Sequence, residues 1–127
     1  MIVTLEGELK IALPSLAGIY VRQSNGEHNF SHWLQDPGTN AIWYDRKLGG
    51  WNFGSQEYLG STKTYIYTED DVPGPQIATN WNYDDGRQIE SDDILVDAIG
   101  RYIHNKIIDK LSFFKFVSSL GRRTLKI

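Results

Sequence analysis

The chain has 127 residues, no cysteine and a formal net charge of −3. That length supports one domain with its own hydrophobic core, and the lack of cysteine excludes a disulfide framework, a thiolate metal site and a thiol nucleophile. The net charge conceals a split: residues 1–97 carry 6 Lys/Arg against 15 Asp/Glu, a net of −9, and residues 98–127 carry 7 against one acid, Asp109, a net of +6. Two parts with different tasks are the expectation, an acidic body over 1–97 and a basic, apolar extension over 98–127.

The opening stretch, MIVTLEGELKIALPSL, places Glu6 and Glu8 where a secretory signal has basic residues followed by a long apolar run. No stretch approaches the roughly 20 apolar residues of a membrane span. An intracellular location is therefore the expectation, and the single sequon at Asn29-Phe30-Ser31 carries little weight. Val3, Leu5, Leu9, Ile11 and Leu13 alternate with polar neighbours across a break at Gly7, which predicts strand. AGIYVRQ is a second strand, SNGEH a turn with the hairpin pair Asn25-Gly26, and FSHWLQ a third strand before the turn DPGTN. AIWYD and WNFGS flank the turn RKLGG, and TYIYTE alternates cleanly before the loop EDDVPGPQ. NWNYDD and RQIE flank a tight Asp85-Gly86 turn, and DILV reads as the last strand. Turn signals every eight to twelve residues predict an all-β fold, a small antiparallel sandwich or barrel of short hairpins.

After Asp97 the pattern changes. Ile99, Ile103, Ile107, Leu111 and Phe114 keep helical spacing and form one stripe. Tyr102, Phe113, Phe116 and Leu120 form a second stripe beside it, with Lys110 and Lys115 alongside. A helix packed on one surface buries one stripe, so the second is expected to meet a partner protein or another copy through residues 102–120. An anionic membrane surface is the lesser alternative.

The phrase Trp, Tyr, Asp, turn, Gly occurs twice, in IWYDRKLGG and in NWNYDDG. On strands Trp43 and Tyr44 point to opposite faces, Trp51 and Phe53 share a face, and so do Trp81 and Tyr83; cross-strand aromatic packing is the ordinary recipe for a small sheet, so Trp43, Trp51 and Trp81 are expected to be structural. Tyrosines tolerate partial exposure, which makes Tyr44, Tyr58, Tyr65 and Tyr67 the candidates for a ligand-binding aromatic surface. LAGIYVRQ, HWLQ, AIWYD, GGWNFGS, YLGS and NWNYDDG together resemble, in order, a small tryptophan-rich β-module found as repeated domains in large eukaryotic proteins. The resemblance spans residues 16 to about 96 and implies a β-fold without implying an activity. It departs where the module has a further Trp after the Asp-Gly turn and this chain has Ile89, and the extension has no counterpart in it.

His28 and His32 have the helical metal spacing but fall in a turn-and-strand stretch, where a strand would hold them roughly 13 Å apart. Neither a metal site nor a cofactor is expected. The acids of EDD, SDD and DDG read as turn-formers, and no nucleophile elbow, phosphate loop or dinucleotide fingerprint occurs. No catalytic residue and no enzymatic activity are expected. The acidic body disfavours nucleic acid. The resulting expectation is a non-enzymatic interaction or structural module, an accessory subunit of a larger assembly that docks through its extension. The alternative is a carbohydrate- or peptide-binding module using the aromatic face.

Overall fold

The computed structural model describes residues 1–98 apart from Asn25 and Glu27; the expected helix, with Tyr102, Lys110, Phe113, Lys115, Phe116 and Leu120, lies outside the described residues. Eight short strands are present: β1 (Ile2–Leu5), β2 (Gly18–Arg22), β3 (His32–Gln35), β4 (Asn40–Asp45), β5 (Gly50–Ser55), β6 (Ile66–Thr68), β7 (Asn82–Tyr83) and β8 (Ile94–Asp97). They form one antiparallel sheet in the order β7-β6-β5-β4-β3-β2-β1-β8. The fold is thus all-β, as the turn spacing predicts, and it is a single sheet curled into a half-barrel rather than a two-sheet sandwich. Chain neighbours pair throughout except at β8, which returns to lie beside β1. The segment after β6 crosses the open side, and a 3₁₀ turn at Pro75–Ile77 packs against β8.

The pairing register sorts the side chains into two rows. On one face Trp33, Ile42, Phe53, Ile66 and Tyr83 step directly across β3 to β7, and Val3 faces Val96 near the other edge. This is the core face. Trp51 joins it, its ring centroid 5.6 Å from that of Trp33 and 5.3 Å from that of Tyr44. Its indole N–H donates to the Val72 carbonyl at 2.9 Å and so ties down the crossing segment. Trp43, Trp51 and Trp81 are all buried, as expected for structural tryptophans.

The repeated phrase is one turn device used twice. In the β4–β5 turn Asp45 Oδ1 accepts the backbone N–H groups of Lys47 and Leu48, at 2.9 and 3.2 Å, and Gly49 takes φ +73°. In the turn after β7, Asp85 Oδ1 accepts the Arg87 N–H at 3.0 Å, and Gly86 takes φ +90°. A carboxylate that accepts a backbone N–H two residues on, followed by a glycine free to enter the left-handed region, closes a tight reversal.

Two expectations are corrected. Residues after Gly7 do not continue a strand: Gly7–Ala12 form a helix, α1, with Leu9 fully buried and Ile11 84% exposed. Leu5, Leu9 and Leu13 are spaced by four, which fits a strand face and a helix face equally. Gly7, at φ +59°, breaks the strand, and Glu8, Leu9 and Lys10 are good helix formers. The Asn25-Gly26 pair does not close a two-residue hairpin either: β2 ends at Arg22 and β3 begins at His32, so the connection runs over 23–31. Asn25 itself lies outside the described residues.

Candidate functional site

The opposite face of the same strands carries a second row. His32, Trp43, Asn52, Tyr67 and Asn82 are direct cross-strand partners from β3 to β7. Most of this row is covered rather than solvated. Trp43 has no exposed surface, because the loop after β5 folds over it. Gly54 permits that approach: a Cβ there would sit 2.7 Å from Trp43 Cη2 and 3.1 Å from the Lys63 carbonyl oxygen. Phe30 lies against Gly60 of the same loop. The rings of His28, Phe30 and His32 cluster beside it at tilted and edge-on angles, the two imidazole centroids 5.1 Å apart. The strand spacing of roughly 13 Å is corrected here, since His28 precedes β3 and the turn folds its ring back onto His32. Among the described residues no group of three or more His, Asp or Glu converges.

Beyond Trp43 the covering loop stops short and leaves an opening. A cleft of about 610 Å³ lies over Asn52 and Tyr67, with Asp45, Lys47, Lys63 and Asp84 in its walls. Asn52 is 2% exposed. Its side-chain N–H group donates to Asp45 Oδ2 at 3.4 Å, and its carbonyl oxygen accepts from no described residue. A second cleft of about 310 Å³ adjoins the first, sharing Lys63, Thr64 and Asp84 with it, and is lined by Tyr58 and Tyr65. Tyr58 is 36% exposed and Tyr65 39%. The Lys63 ammonium lies over the Tyr58 ring, 4.4 Å from its centroid. Ligand pockets commonly span about 300–1,000 Å³, and both clefts fall in that range.

Three of the four tyrosines named from the sequence therefore line two adjoining clefts. Tyr67 floors the larger cleft, and Tyr58 and Tyr65 line the smaller. Tyr44 stands apart. Its ring packs on Trp51 on the core face, and its hydroxyl donates to Asp71 Oδ1 at 2.8 Å, which with burial holds the phenol above its usual range. It lines a third cleft of about 450 Å³, which shares Asp45, Lys47 and Thr62 with the first.

Sequence reasoning missed Asn52, Lys63 and Asp84. Asn52 alternates with Trp51 and Phe53, so its face was legible, but its neighbour Tyr67 belongs to another strand. Lys63 and Asp84 sit outside strands, and nothing in their local sequence brings them together. The walls combine two carboxylates, two ammonium groups, an amide, hydroxyls and aromatic faces. Asp45 spends both oxygens on its turn and on Asn52, so it acts as a fixed hydrogen-bonding wall. Comparison of the chain with models of protein families, with curated proteins and with solved structures gave no match.

Proposed function

We propose that this chain is a non-enzymatic binding module whose groove over Asn52 and Tyr67 takes a neutral, hydroxyl-rich ligand, a carbohydrate. The charge balance of the larger cleft carries the reading: Asp45 and Asp84 oppose Lys47 and Lys63, so the formal charge of its walls is zero. A basic peptide finds no excess of carboxylate there, and a phosphate or sulfated chain finds no excess of cation. A sugar ring presents hydroxyls that both donate and accept around its rim and an apolar face above and below. Such a wall of alternating donors and acceptors beside tyrosine faces suits it. The free carbonyl of the buried Asn52 adds a preorganised acceptor, which loses no side-chain freedom on binding.

Binding of the intact protein to a broad panel of neutral glycans, with Tyr67→Ala and Asp84→Ala alongside, tests this. Retention of a neutral glycan that both variants weaken about tenfold is the expected result. Retention of no neutral glycan, or binding unchanged in Tyr67→Ala, would overturn it. The docking of residues 98–127 onto a larger assembly is a second reading. It is supported by the +6 charge and paired apolar stripes of that segment, which lies outside the described residues.

A further inference from the structure

We infer that the groove is built for a chain of at least two linked sugar rings, and that Lys63 gates its second subsite. The inference rests on the carbohydrate reading above. The two clefts adjoin, for Lys63, Thr64 and Asp84 belong to the walls of both. A ring held over Tyr67 and Asn52 therefore has its next neighbour directed towards Tyr58 and Tyr65. These two are the most exposed tyrosines named as candidates, each showing more than a third of its surface.

The Tyr58 face is already taken. The Lys63 ammonium sits 4.4 Å from its centroid, where a stacked sugar ring would lie. Lys63 is exposed and makes no ion pair among the described residues. Its hold on the ring is thus a cation–π contact near solvent, among the weaker interactions of its kind. A ligand reaching into the smaller cleft displaces the ammonium, and Asp84, in the wall of both clefts, is the nearby carboxylate to receive it. A ligand confined to the larger cleft leaves Lys63 in place. The gate consequently favours length: only a ligand with a second ring recovers, by stacking on Tyr58 and Tyr65, what displacing Lys63 loses.

The test uses a panel in which each neutral sugar is present as monomer, dimer and tetramer, measured by calorimetry against the intact protein, Lys63→Met and Tyr58→Ala. The expected result has three parts. Dimers and tetramers bind more tightly than the monomer of the same sugar. Lys63→Met raises affinity for them about two- to fivefold more than it alters affinity for the monomer, the strength of an exposed cation–π contact. Tyr58→Ala abolishes the advantage of length while the monomer still binds. Equal affinity for monomer and oligomer, or oligomer binding indifferent to both substitutions, would overturn the gate and leave the carbohydrate reading standing. Failure of every sugar at every length would overturn both. Both side chains are exposed, so circular dichroism is expected to show a fold unchanged in either variant.

Discussion

Trp51 shows how much a single side chain carries here. It touches Trp33 and Tyr44, is 2% exposed, and anchors the crossing segment through Val72. Replacing a buried aromatic by Ala typically costs about 3–5 kcal/mol, a large share of the ~5–15 kcal/mol a domain has. Trp51→Ala is expected to shift the urea midpoint far down, and a midpoint close to that of the parent would refute its place in the core. Asp70 matters through pH. It accepts the backbone N–H groups of Thr79 and Asn80, at 2.8 and 3.1 Å, and the Asn80 side chain at 3.2 Å. The Thr79 bond foremost, with those from Asn80, holds its carboxyl below the ordinary value of 3.8 against the desolvation that pushes the other way. A carboxyl depressed in the folded state stabilises it above its unfolded value, and that contribution is lost as pH falls through the folded value. Melting temperature is therefore expected to fall as pH drops below about 4, and less steeply in Asp70→Asn. Asp85, held low by the Arg87 backbone N–H and guanidinium, is exposed, so solvent screens its contribution.

At the scale of elements, the strands were legible and α1 was not. β4 and β5 place an aromatic, a Gly-closed turn and another aromatic at two-residue spacing, and no other period accommodates them. The stretch from Leu5 to Leu13 satisfies two periods at once, so only the partner surfaces decide between them. The helix makes a definite prediction. Leu9→Ala, at a site with no exposed surface, is expected to cost about 2–5 kcal/mol, whereas Ile11→Ala, 84% exposed, changes stability by within about 0.5 kcal/mol. A strand would have made the two residues equivalent, so comparable urea midpoints for the two variants would refute the helix. The turn after β7 gives another. Gly86 at φ +90° has no comfortable substitute, while Asp85 supplies one exposed capping interaction. Gly86→Val is expected to lower the urea midpoint more than Asp85→Ala does, and the reverse order would refute the turn geometry.

For the molecule as a whole, the curled sheet separates two tasks by face. One face gathers tryptophans into a core, and the other brings Asn52 and Tyr67 into the floor of a groove whose walls come from the β4–β5 turn, the loop after β5 and the turn after β7. The charge split belongs to this scale as well. If residues 102–120 mediate association, Phe113→Glu with Phe116→Glu is expected to abolish it in sedimentation while the near-ultraviolet signal of the tryptophan core persists. Added salt is expected to weaken it only modestly, because screening acts on charge and not on apolar burial. A monomer at every concentration, with no partner recovered, would remove that reading without touching the groove.

The sequence by itself determined the all-β class, the reversals at Asp45 and Asp85, and the burial of Trp43, Trp51 and Trp81. Each follows from local rules: two-residue alternation assigns a face, an Asp followed by Gly closes a turn, and a large aromatic on either face of a small sheet is strongly biased towards burial. The tertiary structure alone decided that Tyr58, Tyr65 and Tyr67 line two adjoining clefts and Tyr44 a third beside the larger, that Lys63 lies on Tyr58, and that His28 meets His32. These are meetings between residues on different strands and loops, set by pairing register and by how a loop such as that after β5 closes over Trp43. Local periodicity gives a side chain its direction, but only the sum of long-range pairings gives it its neighbour.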